Sequence, residues 1–166
     1  MSPDQLAGRL AERFPDVHVA RGEVTLTIER DALVETLRYL RDEVDLAFDF
    51  LSDLSCTDWP GREPRIWMAY HLASLLDHRR RLRVKAGLPA DDLRIATATE
   101  VHPSAGWHER EVYDFFGVTF DGHPDLRRIE LPEEWVGHPL RKDEPLGGVA
   151  TQYKGAYVPP PDQREL

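Results

Sequence analysis

The chain has 166 residues, 41% apolar and 31% charged, and its 21 Lys and Arg against 30 Asp and Glu leave it at −9 near neutral pH. That composition suits one soluble domain with a single core, and it weighs against general nucleic-acid binding, which rests on neutralising phosphates. A lone cysteine, Cys56, excludes an internal disulfide, a cysteine zinc site and an iron–sulfur cluster held by this chain alone.

No apolar run approaches the ~20 residues of a membrane helix. The start, MSPDQLAGRLAERF, carries acids and no long apolar stretch, so it predicts no secretory signal. It predicts a helix over 2–14 instead, with Leu6, Leu10 and Phe14 four apart and Pro15 as its stop. Val17, Val19, Val24, Leu26 and Ile28 alternate around Arg21-Gly22 and predict a hairpin. Arg30 or Asp31 opens a second helix with Leu33, Leu37 and Leu40 on one stripe. Asp45 to Leu54 is expected to be a strand through Leu46, Phe48 and Phe50. Ile66 to Leu75 is apolar on both faces and is expected to be a central strand. After a turn at Asp77-His78, Arg79 to Lys85 alternates and predicts a second hairpin with one wet face. Leu93 to Val101 is expected to hold a short strand. Ser104 is the expected N-cap of a helix from about Gly106 to Phe116, with Gly117 at its C′ position.

The expected fold class is α/β (α+β): a mainly antiparallel mixed sheet with helices packed on it and an extended C-terminal tail. Residues 1–120 are the expected core domain. Residues 121–166, rich in proline and glycine, are the expected partner-docking tail, with Trp135, Leu140, Tyr153 and Tyr157 as its anchors. Charge is uneven: −7 over residues 1–60, +5 over 61–90 and −7 over 91–166. The basic block, centred on Arg79 to Lys85, suits either a protein-facing or solvated sheet surface or an RNA- or acidic-protein-binding module. The acidity of the rest of the chain favours the former.

Catalytic patterns are sparse. Seven histidines fall without HxxxH or HExxH spacing, so no metal set is argued from them. There is no phosphate-cradling glycine loop and no GxSxG elbow. Cys56 is either a nucleophile or a buried, inert thiol, and its place at the end of an apolar run favours the thiol. On the third helix, Glu111 and Asp114 could form an acid/base couple. The alternative is that Glu109 and Glu111 offset the helix dipole from its first turn while Arg110 pairs with its acidic neighbours. These patterns favour an assembly subunit over an autonomous enzyme.

The run from Trp107 to Ile129, WHEREVYDFFGVTFDGHPDLRRI, closely resembles the hallmark segment of the C subunit of bacterial NADH–quinone oxidoreductase, the 30 kDa subunit family of respiratory complex I. Gly137-His-Pro-Leu-Arg-Lys-Asp143 resembles the family's second motif, with His138 in place of the usual aromatic. The likeness spans about residues 30–143. It implies a non-redox structural subunit at the cytoplasmic face of the membrane, in the peripheral arm of a proton-translocating enzyme. It implies that the complex uses NADH, FMN, iron–sulfur clusters and a quinone while this chain holds none of them. The implied partners are the quinone-site (D-type) subunit and neighbouring cluster-bearing subunits. A related membrane-bound hydrogenase or a dehydrogenase with another donor is the alternative. The resemblance marks Trp107, Glu109, Arg110, Glu111, Asp114 and Phe116 as a structural and docking helix. Gly117, Gly122, Pro124, Gly137 and Pro139 are implied to steer the tail, and Arg127, Arg128, Arg141 and Lys142 to make charged contacts there. His123, Asp125, Leu140 and Asp143 are further signature residues implied at the interface.

Overall fold

Helix α1 (Pro3–Ala11) begins where Ser2 and Gln5 cap each other: the Ser2 hydroxyl accepts from the Gln5 N–H at 3.2 Å, and the Gln5 carbonyl oxygen accepts from the Ser2 N–H at 2.8 Å. Its buried residues, Leu6 and Leu10, face the sheet. The computed structural model describes residues 1–76 and 80–144 and, by backbone alone, a strand pair within 151–158. The expected turn at Asp77-His78 lies outside the described residues, as do the side chains of the expected anchors Tyr153 and Tyr157.

Strands β1 (Val17–Ala20) and β2 (Glu23–Ile28) form the expected antiparallel hairpin. Its two turn residues, Arg21 and Gly22, both have positive φ (53° and 78°), the geometry that follows the strands' right-handed twist. A single 3₁₀ turn (Arg30–Ala32) leads into α2 (Leu33–Asp42), which buries Leu33, Leu37 and Leu40. Strands β3 (Phe50–Asp58), β4 (Ile66–Ala73) and β5 (Arg81–Leu88) complete a five-stranded sheet in the order β1-β2-β5-β4-β3. All neighbours run antiparallel except β2 and β5, which are parallel. Beyond the sheet lie β6 (Arg94–Ala96), α3 (Ala105–Phe116) and β7 (Thr119–Asp121), with β6 and β7 paired in parallel. The pair β8 (Thr151–Tyr153) and β9 (Ala156–Val158) is antiparallel.

Three expectations change. The third strand starts at Phe50, not Asp45: Ala47 is left-handed (φ 46°) and the Phe48 N–H bonds back to the Leu40 carbonyl at 2.9 Å. Leu46 and Phe48 are therefore buried as a wrap after α2, not as strand residues. A β-irregularity at Ser52 then separates Leu51 from Asp53 and leaves Phe50 exposed. Strand β4 buries one face, through Ile66, Met68, Tyr70 and Leu72. Its other face, Trp67, Ala69, His71 and Ala73, stays half-exposed. Ser104 starts α3 without a side-chain cap, because its hydroxyl donates to the Leu51 carbonyl at 3.3 Å.

One glycine is fixed by close packing. A Cβ at Gly87 would lie 2.4 Å from the Pro64 ring and 3.4 Å from Trp67. A Cβ at Gly8, inside α1, would meet nothing within 4 Å. Gly87→Ala is expected to lower stability by about 1–3 kcal/mol through overpacking. Gly8→Ala is expected to raise it by about 0.5–1 kcal/mol through reduced chain entropy. Urea unfolding of the two variants should give shifts of opposite sign.

Candidate functional site

Most of the chemistry-bearing residues gather in three clasps, two of them built on α3. The first centres on Asp114, whose side chain has no solvent exposure. Its Oδ2 accepts the backbone N–H groups of Ile129, Glu130 and Leu131 at 3.1, 2.9 and 3.0 Å. Its Oδ1 accepts from the Arg128 guanidinium at 2.6 Å. Arg128 reaches onward to the carbonyls of Trp135 and Gly137 at 3.1 and 3.2 Å. Arg110 donates to the carbonyls of Arg127 and Arg128 at 3.1 and 3.3 Å and lies over the Trp107 ring. Burial alone would push the Asp114 carboxyl up. The N–H donors of Leu131, Glu130 and Ile129, with Arg128, outweigh it and hold the group below the usual carboxylate range.

The second clasp joins the end of β3, Arg65 in the β3–β4 connection and residues 141–143. Arg65 grips Asp58 with two bonds of 2.7 Å and reaches Asp143 at 3.1 Å. Arg141 holds Asp143 at 3.0–3.1 Å, and the Lys142 N–H donates to Asp58 at 2.8 Å. Arg141 first and Arg65 second keep the Asp143 carboxyl far below its ordinary value.

The third clasp surrounds Glu109, also without solvent exposure. Its oxygens accept from the Thr97 hydroxyl at 2.5 Å and the Ala98 N–H at 2.7 Å. His123 lies 3.9 Å away, its ring held between the Gly106 carbonyl and the Asp125 N–H, both at 3.0 Å. Here burial dominates and pushes the carboxyl up to about 7, against the pull of the Thr97 and Ala98 bonds.

The helix-dipole reading of Glu109 and Glu111 does not hold: neither lies in the first turn of α3, Glu109 is buried, and Glu111 is exposed. The i,i+4 pairing of Arg110 with Asp114 is absent, since each has partners in residues 127–131. Gly117 is left-handed (φ 77°) as expected at C′. A Cβ there would come within 2.7 Å of the His138 ring, which also meets Tyr113 edge-on. His138 thus keeps an aromatic contact and bonds the Asp114 carbonyl at 3.0 Å. Gly122 and Gly137 also have positive φ, and the Glu144 carboxylate sits where a Gly137 Cβ would point. Phe116 and Leu140 line a hollow of about 390 Å³ beside Cys56 and Trp59. Trp107, Pro124, Asp125 and Arg127 are exposed, the last two as an ion pair of 3.0 Å, while Pro139 is half-buried.

Cys56 is buried, and burial followed by Asp58 pushes its thiol up to about 12, so it is protonated at neutral pH. Among the described residues no three of His, Cys, Asp and Glu could hold a metal ion. The sequence reading missed Asp58, Arg65 and Thr97. Asp58 had a usable signal: an acid at an inward position of an alternating strand needs a cationic partner.

A family model described as "Respiratory-chain NADH dehydrogenase, 30 Kd subunit" matches residues 26–150. The C subunit of the NADH-quinone oxidoreductase of Mycolicibacterium gilvum (strain PYR-GCK) is 47% identical, over 97% of this chain and 75% of that one. The protein of the same name from Saccharopolyspora erythraea is 47% identical over 93% of this chain, which spans 62% of that relative's length. Among solved structures, a trypsin-resistant fragment of Nqo5 superposes with a TM-score of 0.62 at 30% identity, covering 74% of this chain and 97% of that one. A chain of the membrane-bound sulfane sulfur reductase, an archaeal respiratory membrane complex, superposes with a TM-score of 0.67 at 26% identity, covering 78% of each.

Asp114→Asn removes the charge that four donors address and is expected to cost about 3 kcal/mol. Trypsin should then cut the chain rapidly after Arg127 and Arg128, sites the clasp protects in the wild type. Glu109→Gln tests the third clasp. A carboxyl raised in the fold stabilises it fully below the group's ordinary value and loses that contribution as pH climbs through about 7. His102, pushed down to about 4 by burial and by Arg41, acts in the opposite sense as pH rises, so the variant must be compared with the wild type at each pH. The stability of Glu109→Gln relative to wild type is expected to improve by about 2.5 kcal/mol between pH ~5 and pH ~8 in urea unfolding.

Proposed function

Because the chain belongs to the family of the respiratory-chain NADH dehydrogenase 30 Kd subunit, we propose that it is a non-redox structural subunit of the peripheral arm of a proton-translocating NADH–quinone oxidoreductase. In this role it docks on the quinone-site subunit at the cytoplasmic face of the membrane. Electrons pass from NADH through FMN and iron–sulfur clusters to quinone on other subunits. The family match over residues 26–150 carries the reading.

Several observations support it. On α3, Asp114 and Arg110 are taken up in fastening residues 127–131 to the core, and Glu109 is bonded to Thr97 and Ala98. Cys56, the lone cysteine, is buried and protonated. No helix among the described residues is long and apolar enough to cross a membrane. In this proposal the chain reaches the membrane through its partners.

The likeness to a chain of the sulfane sulfur reductase complex favours a second reading, an equivalent subunit of a respiratory complex with another electron donor. The NADH-quinone oxidoreductase relatives, at 47% identity, favour the first.

Purification through a tag on this chain from detergent-solubilised membranes should recover NADH-oxidising activity, flavin, cluster-bearing subunits and a homologue of the quinone-site subunit. Recovery without those partners would sink the proposal, and a flavin-free complex acting on another donor would establish the second reading. Truncation after Glu144 keeps all three clasps. It is expected to leave the melting midpoint unchanged and to reduce recovery in the complex, placing a docking contact in residues 145–166.

A further inference from the structure

The five-stranded sheet buries one face against α1, α2 and α3 and leaves the other open among the described residues. We propose that this open face seats a neighbouring subunit, and that its occupant is an extended acidic segment carrying one large apolar side chain. The inference rests on the reading that the chain is a subunit of a larger complex.

On this face β4 alternates large and small residues, Trp67 and His71 with Ala69 and Ala73, and each alanine leaves a low point. Ala73 lies between Phe50 and Arg81, and Ala69 between Ser55 and Lys85, in register across β3, β4 and β5. A hollow of about 430 Å³ opens over the first of these rows, with Phe50, Leu75 and Arg81 on its walls. Phe50 and Leu75 are 43% and 52% exposed, and Leu76 beside them is 84% exposed. Phe50 and Leu75 share the walls of one hollow, which differs from apolar residues scattered singly over a surface.

Charge selects the occupant. The open face carries Arg81, Arg83 and Lys85 on one strand of a chain whose net charge is −9. Arg83 is paired with Glu23 at 2.7 Å, and Lys85 lies over the Trp67 ring. Arg81 is exposed, and its side chain has no hydrogen bond or ion pair among the described residues. A cation left unpaired beside the exposed side chains of Phe50 and Leu75 matches a carboxylate next to a large apolar side chain. A nucleic acid suits the face less well. Three cations are few for phosphate neutralisation, and Glu23 and Asp53 border them. Opposite charges across an interface raise the association rate and reject wrong partners, and this effect weakens with salt.

The test uses the intact complex. A photo-crosslinking amino acid is placed at Ala73, or at Thr25 on the same face in a second variant. Irradiation should join this chain to a net-negative peptide of another subunit, identified by mass spectrometry. Arg81→Glu should lower recovery of this chain in the complex about tenfold. Arg81→Lys should behave as wild type, and the isolated chain should keep its melting midpoint in both. If a probe blocks assembly while leaving that midpoint unchanged, the face is again the occupied one. An assembled complex without an adduct at either probe overturns the inference, as does an adduct only to residues 145–166 of this chain or to a neutral or basic segment. Arg81-dependent binding of a single-stranded RNA 20-mer by the isolated chain at physiological salt would also overturn it. Absence of the wild-type chain from the purified complex counts against the proposed function itself, whereas presence with a bare face counts against this inference alone.

Discussion

The carboxylate of Asp114 sits where no water reaches it, and the last third of the described chain is arranged around that fact. A buried charge costs several kcal/mol unless donors surround it. Here they come from one short stretch: three successive backbone N–H groups and the guanidinium of Arg128. Backbone donors cannot rotate away independently, so satisfying Asp114 fixes the course of residues 128–131. Arg128 then fixes the next stretch by holding the carbonyls of Trp135 and Gly137. His138 arrives over Gly117, where only a missing Cβ leaves room for its ring. A segment with no regular secondary structure is thereby given a single path.

The same helix shows that an acid's behaviour belongs to its surroundings. Glu109 and Asp114 are both fully buried on α3. Asp114 meets a guanidinium and three N–H groups, and its ionised form wins. Glu109 meets one hydroxyl and one N–H with no cation bonded to it, and burial wins. Glu111, on the outward side, is exposed. The two buried carboxylates of this helix are thus both bonded within the fold, one to residues 128–131 and the other to Thr97 and Ala98.

Much of the sheet was legible because β-strands bury alternate residues, and Val24/Leu26, Ile66 to Leu72 and Leu82 to Leu88 keep that period without interruption. The third strand was misplaced because Leu46, Phe48 and Phe50 imitate that period. Burial around Leu46 and Phe48 is instead achieved by a left-handed residue and a bond back to α2. The parallel pairing of β2 with β5 left no local trace, since a strand's partner is a matter of topology. Of the candidate residues, Gly117 was readable from local rules alone. The partners of Arg110, Arg128 and Arg141 were not, because a guanidinium in sequence carries no sign of which carbonyl or carboxylate it will meet.

On its own the sequence determined the order and nature of the main elements, the family, and the chemistry that one cysteine and unclustered histidines leave open. These follow from local periodicity, composition and long motif matches, which need no coordinates. The tertiary structure alone decided which acids stay charged, which arginines are already paired and which face of the sheet is left open. Each of those depends on desolvation and on donors far away in sequence: Asp58 with Lys142, Asp114 with Leu131, Glu23 with Arg83. Proximity of that kind exists only once the chain has folded.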